Sequence, residues 1–550
     1  MLPQPVASPT HSKLSIDIRR LPWIRRLATD YAFDYPRLQD FFAGNPADPA
    51  AWADVISRTQ RHPRQRDRIA SALRAQQDRR GAPAEARAAS AQLADAATVA
   101  VVTGQQAGLF GGPLFTLLKA LTALRLAQTV RDTHGVPAVA VFWIEAEDHD
   151  WNEVRTCGVL DADLSCRTIE LADLPGANQG PVARVQLDDS IASAVAELEA
   201  ALPATEFTPD LLTTLRAAYA PGTGMADAFG RWLESVLGPR GLIVYDASDV
   251  ETKPLVADLF ARELEGAGET ARHATEAGTR LQAAGYHAQV MPADGTIALF
   301  HLNNGRHAIQ RDGDGFRVGD DHVSADELTA RVRHRPETFS PNVMLRPLVQ
   351  DTLFPTVCYV AGPNELAYLG QLRGVYEAFG VPMPLFYERA TATIVDSNAM
   401  KFLTRNDVAL ESLRAQDEAA LNELLQAQLP ASVEASVQDA VRAIDERLGV
   451  IAQEVVQVDA TLEGATRSTL ARMQDDLKKL QGKIIQAAKR KDETLKRQFR
   501  HAQAQVFPAG HPQEREVGFV YFLNKYGPVL IERLADDLPM DMGQHWVVTI

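Results

Sequence analysis

The spacing of apolar positions changes several times along the chain, and the changes mark out its architecture. Val99 to Val102 is a short β-branched run that reads as a buried strand. It ends at Thr103-Gly104, and a glycine-dense loop follows with Gly104, Gly108, Gly111 and Gly112. Pro113 then opens a helix, at the position where its missing N–H costs nothing. From Leu114 to Val130 the spacing is helical (Leu114, Leu117, Leu118, Leu121, Leu124), and Ala138 to Ile144 is again continuously apolar. Strand, loop, helix and strand make a βαβ unit, whose ligand crevice lies beyond the carboxyl ends of its strands. The second strand runs straight into Glu145, Glu147, Asp148, His149 and Asp150. Both unusual loops therefore leave from one edge.

Residues 1–95 read as mainly helical, with Phe33, Tyr35, Leu38, Phe41 and Phe42 suited to docking on a larger body. A core is expected over residues 96–400, interrupted at about 155–210 and 285–335 by short-strand insertions, one strand falling at Val182 to Leu187. Gly241 to Asp246 predicts a further parallel strand, Thr356 to Val360 another, and Met383 to Tyr387 the last. Ala361-Gly362-Pro363-Asn364-Glu365 after the fourth run repeats the strand–tight loop–helix arrangement. Over residues 401–507 the character changes. Ile444, Leu448, Ile451, Val455, Val458 and Leu462 step by fours and threes, as do Leu470, Met473, Leu477, Leu480, Ile484 and Ala487. The two runs meet through consecutive fours, a stutter in a long coiled-coil helix, with Leu410 to Leu429 as part of an antiparallel partner. Such a coiled coil can be an intramolecular hairpin, a dimer interface, or both. Residues 508–550 are expected to return to the core, so the class is α/β with a parallel-sheet core and a helical coiled-coil region.

Composition narrows the classes. A net charge of −15 argues against broad nucleic-acid binding, which needs clustered Lys and Arg. No apolar run approaches the ~20 residues that cross a bilayer. The start, MLPQPVASPTHSKLS, lacks the apolar core of a secretory signal, and three cysteines in 550 residues make no disulfide framework, so a cytoplasmic protein is expected. Lys478 to Arg500 is strongly basic, which a solvated helix face explains as well as a phosphate site does.

The loops hold the candidate chemistry. Around Gly104, Gly108, Gly111 and Gly112 a row of N–H groups can face an anion, helped by the helix dipole behind Pro113, or the glycines can simply serve a tight turn. This is neither a Walker loop nor GxGxxG. Gln105 and Gln106 offer donors and acceptors to a polar substrate, and Lys119 either reaches back to an anion or lies along the helix surface. If the strand stays extended through the acidic run, Glu145, Glu147 and His149 share one face and Asp148 and Asp150 the other. His149 among carboxylates suits general acid/base chemistry near neutral pH, and Glu147, Asp148 or Asp150 could also hold a divalent ion or merely cap a loop. Arg346 either clamps a carboxylate or pairs with Asp351, and Asn364 with Glu365 completes the set.

The segments TGQQAGLFGGPLF, FWIEAEDHDWNEV, LRPLVQDTLFPTVCYVAGPNELAY and YFLNKYGP together resemble the BshC family, the cysteine-adding ligase of bacillithiol biosynthesis. The resemblance covers nearly the whole chain in order and is loosest over the first hundred residues and after Val154. It implies a Rossmann-like core with two inserted segments and a protruding coiled coil as the contact of a homodimer. It implies small-molecule substrates, L-cysteine and glucosaminyl malate, joined as an amide. A carboxylate and an ammonium do not condense unaided, so an activated carboxyl is needed; ATP or another nucleotide as energy source is left open. A second nucleotide pocket suspected for the family brings in Arg515, Asn524 and Tyr526. A different nucleotide-dependent ligase, or a coiled-coil protein that only binds a metabolite, are the rival readings.

Overall fold

A computed structural model describes residues 13–303, 305–427, 431–491 and 493–550, with the side chains of 431 and 488–491 also outside the description. The MLPQPVASPTHS start and Leu429 therefore lie outside what is described, as do the side chains of Lys489, Arg490 and Lys491 of the basic run.

The centre is a five-stranded parallel sheet made of β1 (Val99–Gln106), β2 (Ala138–Glu145), β3 (Ile243–Asp246), β4 (Thr356–Ala361) and β5 (Leu385–Glu388). Its order is β5-β4-β1-β2-β3. The chain thus builds outward from β1 to β3 and then returns to the other side of β1, so the topological switch point lies between β1 and β4. In open α/β sheets that is where the crevice forms, outside the carboxyl ends. Alternation explains why β1 and β2 read as unbroken apolar runs. Val99, Val101, Ala140, Phe142 and Ile144 join one buried core, and Ala100, Val102, Val139, Val141 and Trp143 join another on the opposite face. Helix α1 (Leu114–His134) buries Leu117, Leu118 and Leu121 in the first core and ends on Gly135 in the left-handed conformation.

Strand β1 is longer than its apolar stretch. Gln105 and Gln106 stay in register with Ile144 and Glu145, so the backbone ladder carries two polar side chains to the sheet edge. The first insertion forms a hairpin, Thr156–Leu160 with Cys166–Glu170. Val182 to Leu187 is not the expected strand. Val182 N donates to Asp148 O (2.7 Å) and Ala183 N to Ala146 O (3.0 Å), so this backbone braces the acidic loop instead. The second insertion is an antiparallel sheet of Thr296–Leu302, Arg306–Asp312, Gly315–Val318 and Asp321–Ser324, closed by Phe339–Pro341. The mainly helical region before β1 includes a strand, Lys13–Asp17, paired with Gln544–Val548, which also pairs with Thr391–Ile394.

Residues 395–511 form a separate compact unit. Here Ala431–Glu454 and Leu462–Lys491 lie antiparallel, with Gln474 Nε2 donating to Asp445 Oδ1 at 3.1 Å. The expected continuous helix breaks into a hairpin just before the stutter, where Asp459 Oδ1 accepts from Thr461 N (2.8 Å), and Leu462, Thr466 and Leu470 lie within the second helix. The main partner of Leu462–Lys491 is Ala431–Glu454; the segment from Leu410 is split into Leu410–Ala415 and Ala419–Ala427, and the latter also packs on Leu462–Lys491. Among the described residues no helix is long and apolar enough to cross a membrane.

A candidate active site at the switch point of the sheet

The glycine loop is a packing turn, not an anion cradle. Gly108 N donates to Gln106 O (2.9 Å), Gly111 N to Gly108 O (3.0 Å), Gly112 N to Leu109 O (3.0 Å) and Leu114 N to Val517 O (2.8 Å). With those donors spent internally, the N–H row expected of Gly108, Gly111 and Gly112 is not free for a ligand. Gly111 shows what the glycines are for. Its φ is +98°, and a Cβ there would lie 2.3 Å from the Phe519 ring. Gly111→Ala is expected to cost about 4 kcal/mol, from left-handed strain plus overpacking, read as a lowered urea midpoint.

Chemistry gathers around Gly104 and its neighbours. Lys119, in the second turn of α1, is 2% exposed and turns back to the sheet edge. Its Nζ lies 2.6 Å from Glu365 Oε2, 2.8 Å from Gly104 O and 3.3 Å from Gln105 Oε1. Glu365 follows β4, so one ion pair bridges the two loops flanking the switch point. Burial alone would raise the Glu365 carboxyl, but Lys119 and the Gly362 N–H hold it below its ordinary value.

Beside this pair stands Arg346, the first residue of α2 (Arg346–Leu353), which does not pair with Asp351. Its Nε is 3.5 Å from Glu145 Oε2, and its fork reaches Gln350 Oε1 at 3.3 Å and Tyr368 OH at 3.4 Å. All three contacts are long for a buried guanidinium, so its donors are under-used. Its charge nonetheless persists: burial opposes it, but Tyr359, Tyr368, Glu145 and Glu365 hold its pKa above the ordinary value. Glu145 ends β2 with its side chain 23% exposed and accepts from Trp143 Nε1 at 3.1 Å. Burial, reinforced by Glu147 and Asp148 against the pull of Arg346, pushes its carboxyl up to about 7. A carboxyl poised at neutrality in a crevice suits proton transfer.

Next to Glu145, Asp148 accepts from Gln106 Nε2 (2.9 Å) and His149 N (2.7 Å), with Arg306 Nη1 at 3.4 Å. Burial raises its carboxyl, but these donors outweigh that and hold it low. Arg306 comes from the second insertion, stacks on Phe300 at 3.8 Å and places Nη1 3.0 Å from His149 Nδ1. The same Nδ1 lies 3.1 Å from Asp148 Oδ1, so the ring nitrogen stands between a guanidinium, which only donates, and a carboxylate, which only accepts. His149 is thus held beside Asp148 and Arg306, and Glu145 joins it as a candidate for proton transfer.

The description of the bacillithiol biosynthesis BshC N-terminal Rossmann-like domain matches residues 13–390, and that of the BshC C-terminal coiled-coil domain matches residues 392–550. The chain belongs to the BshC family. A relative from Salinibacter ruber is 36% identical over 529 residues, 95% of this chain and 96% of its own length. One from Koribacter versatilis is 34% identical over 523 residues, 95% and 97% of the two chains. Both carry the name "Putative cysteine ligase BshC".

Within this BshC-family core, several expected site residues have other work. Strand β2 ends at Glu145, and the alternation expected beyond it stops there. Glu147 is 4% exposed and bound to Lys253, which also donates to Phe339 O at 3.2 Å. Asp150 caps the short helix Trp151–Val154, accepting from Glu153 N at 3.2 Å. Glu147, Asp148 and Asp150 thus turn to different partners, and among the described residues no three His, Cys, Asp or Glu side chains converge on a metal position. Asp351 is fully buried between Tyr376 OH (2.6 Å) and Gln350 Nε2 (2.9 Å), a core carboxyl raised by burial to about 6. Asn524, also fully buried, receives Thr208 Oγ1 (2.8 Å) and donates to Pro203 O (2.8 Å), which makes it a staple of the fold. Tyr526 packs part-buried against the core beside Lys525. Asn364 remains at the carboxyl edge, half-buried next to Glu365. Arg306, Tyr359 and Tyr368 were not singled out by sequence; Tyr359 hides inside an apolar strand, and Arg306 sits in an insertion whose docking is not written locally.

The Glu147–Lys253 pair has its own signature. Lys253→Met strands a buried carboxylate and is expected to cost about 3–5 kcal/mol of stability. The double variant Glu147→Leu/Lys253→Met should recover most of that in urea unfolding, as a structural pair does and a catalytic one does not.

Proposed function

We propose that this chain joins the carboxyl of L-cysteine to the amine of glucosaminyl malate, forming bacillithiol. The observation that carries the reading is the placement of Arg346, a desolvated guanidinium with slack contacts, against Glu145, a carboxyl titrating near 7, at the switch point. Amide formation on a malate-bearing amine asks for these two functions: a fork that takes a carboxylate and a group that accepts the ammonium proton. A malate carboxylate on Arg346 replaces the long protein contacts with a bidentate one. The amine, freed of its proton by Glu145, attacks the acyl carbon; the new C–N bond forms as the leaving group departs with its electron pair. Lys119 and Glu365 hold the two loops at fixed separation, and Gln105 and Gln106 orient the polar substrate.

The reacting carboxyl has to carry a leaving group. In the glycine loop the N–H groups of Gly108, Gly111 and Gly112 are spent within the turn, and no step is assigned through a nucleotide. The deciding assay supplies purified protein with glucosaminyl malate, L-cysteine and each nucleoside triphosphate in turn, with product read by mass. Bacillithiol in one of these mixtures is the expected result; none in any mixture from folded protein contradicts the reading. We also propose that the coiled-coil hairpin joins two copies. Val450 is 57% exposed, Ile451 45%, Met473 41% and Leu480 49%, a run of apolar side chains that a second copy would cover.

A further inference from the structure

Adjoining the switch-point crevice is a cleft of about 310 Å³, walled by the start of α1, the Thr156–Leu160 hairpin strand and the returning segment around Arg515. Gln105 and Gln106 belong to both spaces: each lines the cleft, while Gln105 meets Lys119 and Gln106 meets Asp148 in the crevice. The switch-point chemistry uses none of the rest of this lining.

Three features describe an occupant. The first is cationic. Arg515 lines the cleft and pairs with no carboxylate among the described residues, whereas neighbouring Arg389 is neutralised by a two-pronged contact with Glu514 at 2.7 and 2.9 Å. The second is a buried hydroxyl. Thr116, fully buried in the first turn of α1, lines the cleft beside Gly112, and its Oγ1 has no hydrogen-bond partner among the described residues. Buried polar atoms are normally satisfied, so an orphan on a cleft wall points to a ligand. The third is acidic and soft. Glu153 and Glu516 line the cleft with Val154 and Cys157, and burial pushes the Cys157 thiol up to about 12, so it is an uncharged, polarisable wall. One cation facing two carboxylates disfavours a polyphosphate, and the volume lies at the small end for ligand sites.

We propose that this cleft is the amino-acid subsite, holding a free α-amino acid of small, soft side chain with its carboxylate toward Arg515 and its ammonium toward Glu153 and Glu516. The assignment rests on the ligation reading above and adds to it where the second substrate sits. The adjoining crevice keeps the dicarboxylate partner, and Gln105 and Gln106 form the boundary across which the two meet.

The test is calorimetric titration of the full chain with L-cysteine, cysteamine (the same molecule without its carboxylate) and glucosaminyl malate, repeated on Arg515→Gln and Thr116→Val. The wild-type chain is expected to bind cysteine at least about tenfold more tightly than cysteamine, the worth of one charge-assisted contact. Arg515→Gln erases that preference while affinity for glucosaminyl malate stays unchanged, and Thr116→Val weakens cysteine alone. An intact preference in Arg515→Gln, or a loss confined to glucosaminyl malate, overturns the subsite and leaves the ligation reading standing. Failure of the wild-type chain to bind cysteine at all overturns both.

Discussion

Arg346→Gln is expected to lower kcat/KM for ligation by about 10²–10³-fold, with most of the loss in KM for glucosaminyl malate. The magnitude follows from removing a buried charge that meets a carboxylate, worth roughly 3–5 kcal/mol when one partner is deleted. Arg346→Lys should recover little. A lysine ammonium cannot present two parallel donors, and its charge would sit away from the Tyr359 face, whose ring centre lies 5.6 Å from the guanidinium carbon. The KM-against-kcat split in steady-state assays separates this from general damage, because a misfolded fraction lowers kcat alone. Equal losses of kcat and no change in KM would remove Arg346 from carboxylate recognition.

Glu145→Gln is expected to produce opposite changes in activity and stability. As the proton acceptor, Glu145 must be ionised, so wild-type kcat should rise with pH through about 7. The variant should lose about 10²–10⁴-fold in kcat together with that limb of the profile. Stability moves the other way. The carboxyl goes from an ordinary 4.5 to about 7 on folding, so between those values the native state keeps a proton that the unfolded chain has released. Its contribution is therefore favourable at low pH and lost as pH rises from 4.5 to about 7, leaving a penalty of about 3 kcal/mol above that window. A neutral glutamine escapes the penalty. Thermal midpoints of the variant should exceed those of the wild type at pH 8 and converge with them near pH 4.5. A variant that is both inactive and less stable at pH 8 would mean that Glu145 is a structural partner of Arg346.

The βαβ unit is legible in the sequence because its causes are local. β-branched runs, a glycine stop, helical spacing from Leu114 and a second apolar run each act within a few residues. Strand order is not local. That β4 lies beside β1, making the switch point, follows only from pairing across a long connection, although the repeated Gly-Pro turn after it was a visible clue. The glycine loop misleads for the same reason. Gly111 is required by Phe519, near the far end of the chain, and nothing around it says whether its N–H groups will face solvent or their own turn. Acidic residues divide similarly. Glu145 inherits its direction from β2, but Glu147 and Asp150 lie beyond the strand, where Lys253 and the next helix decide where they point. The alternating spacing of the coiled coil was legible, whereas its turn depended on one capping contact, Asp459 with Thr461.

The placement of ligation at the β1–β4 switch point is tested most directly by low-molecular-weight thiol profiling of cells lacking this chain and complemented with wild type, Arg346→Gln or Glu145→Gln at matched protein levels. Deletion should abolish bacillithiol and let glucosaminyl malate accumulate; wild type should restore the thiol and neither variant should. Full restoration by both variants, or a thiol pool that ignores the deletion, would contradict the account.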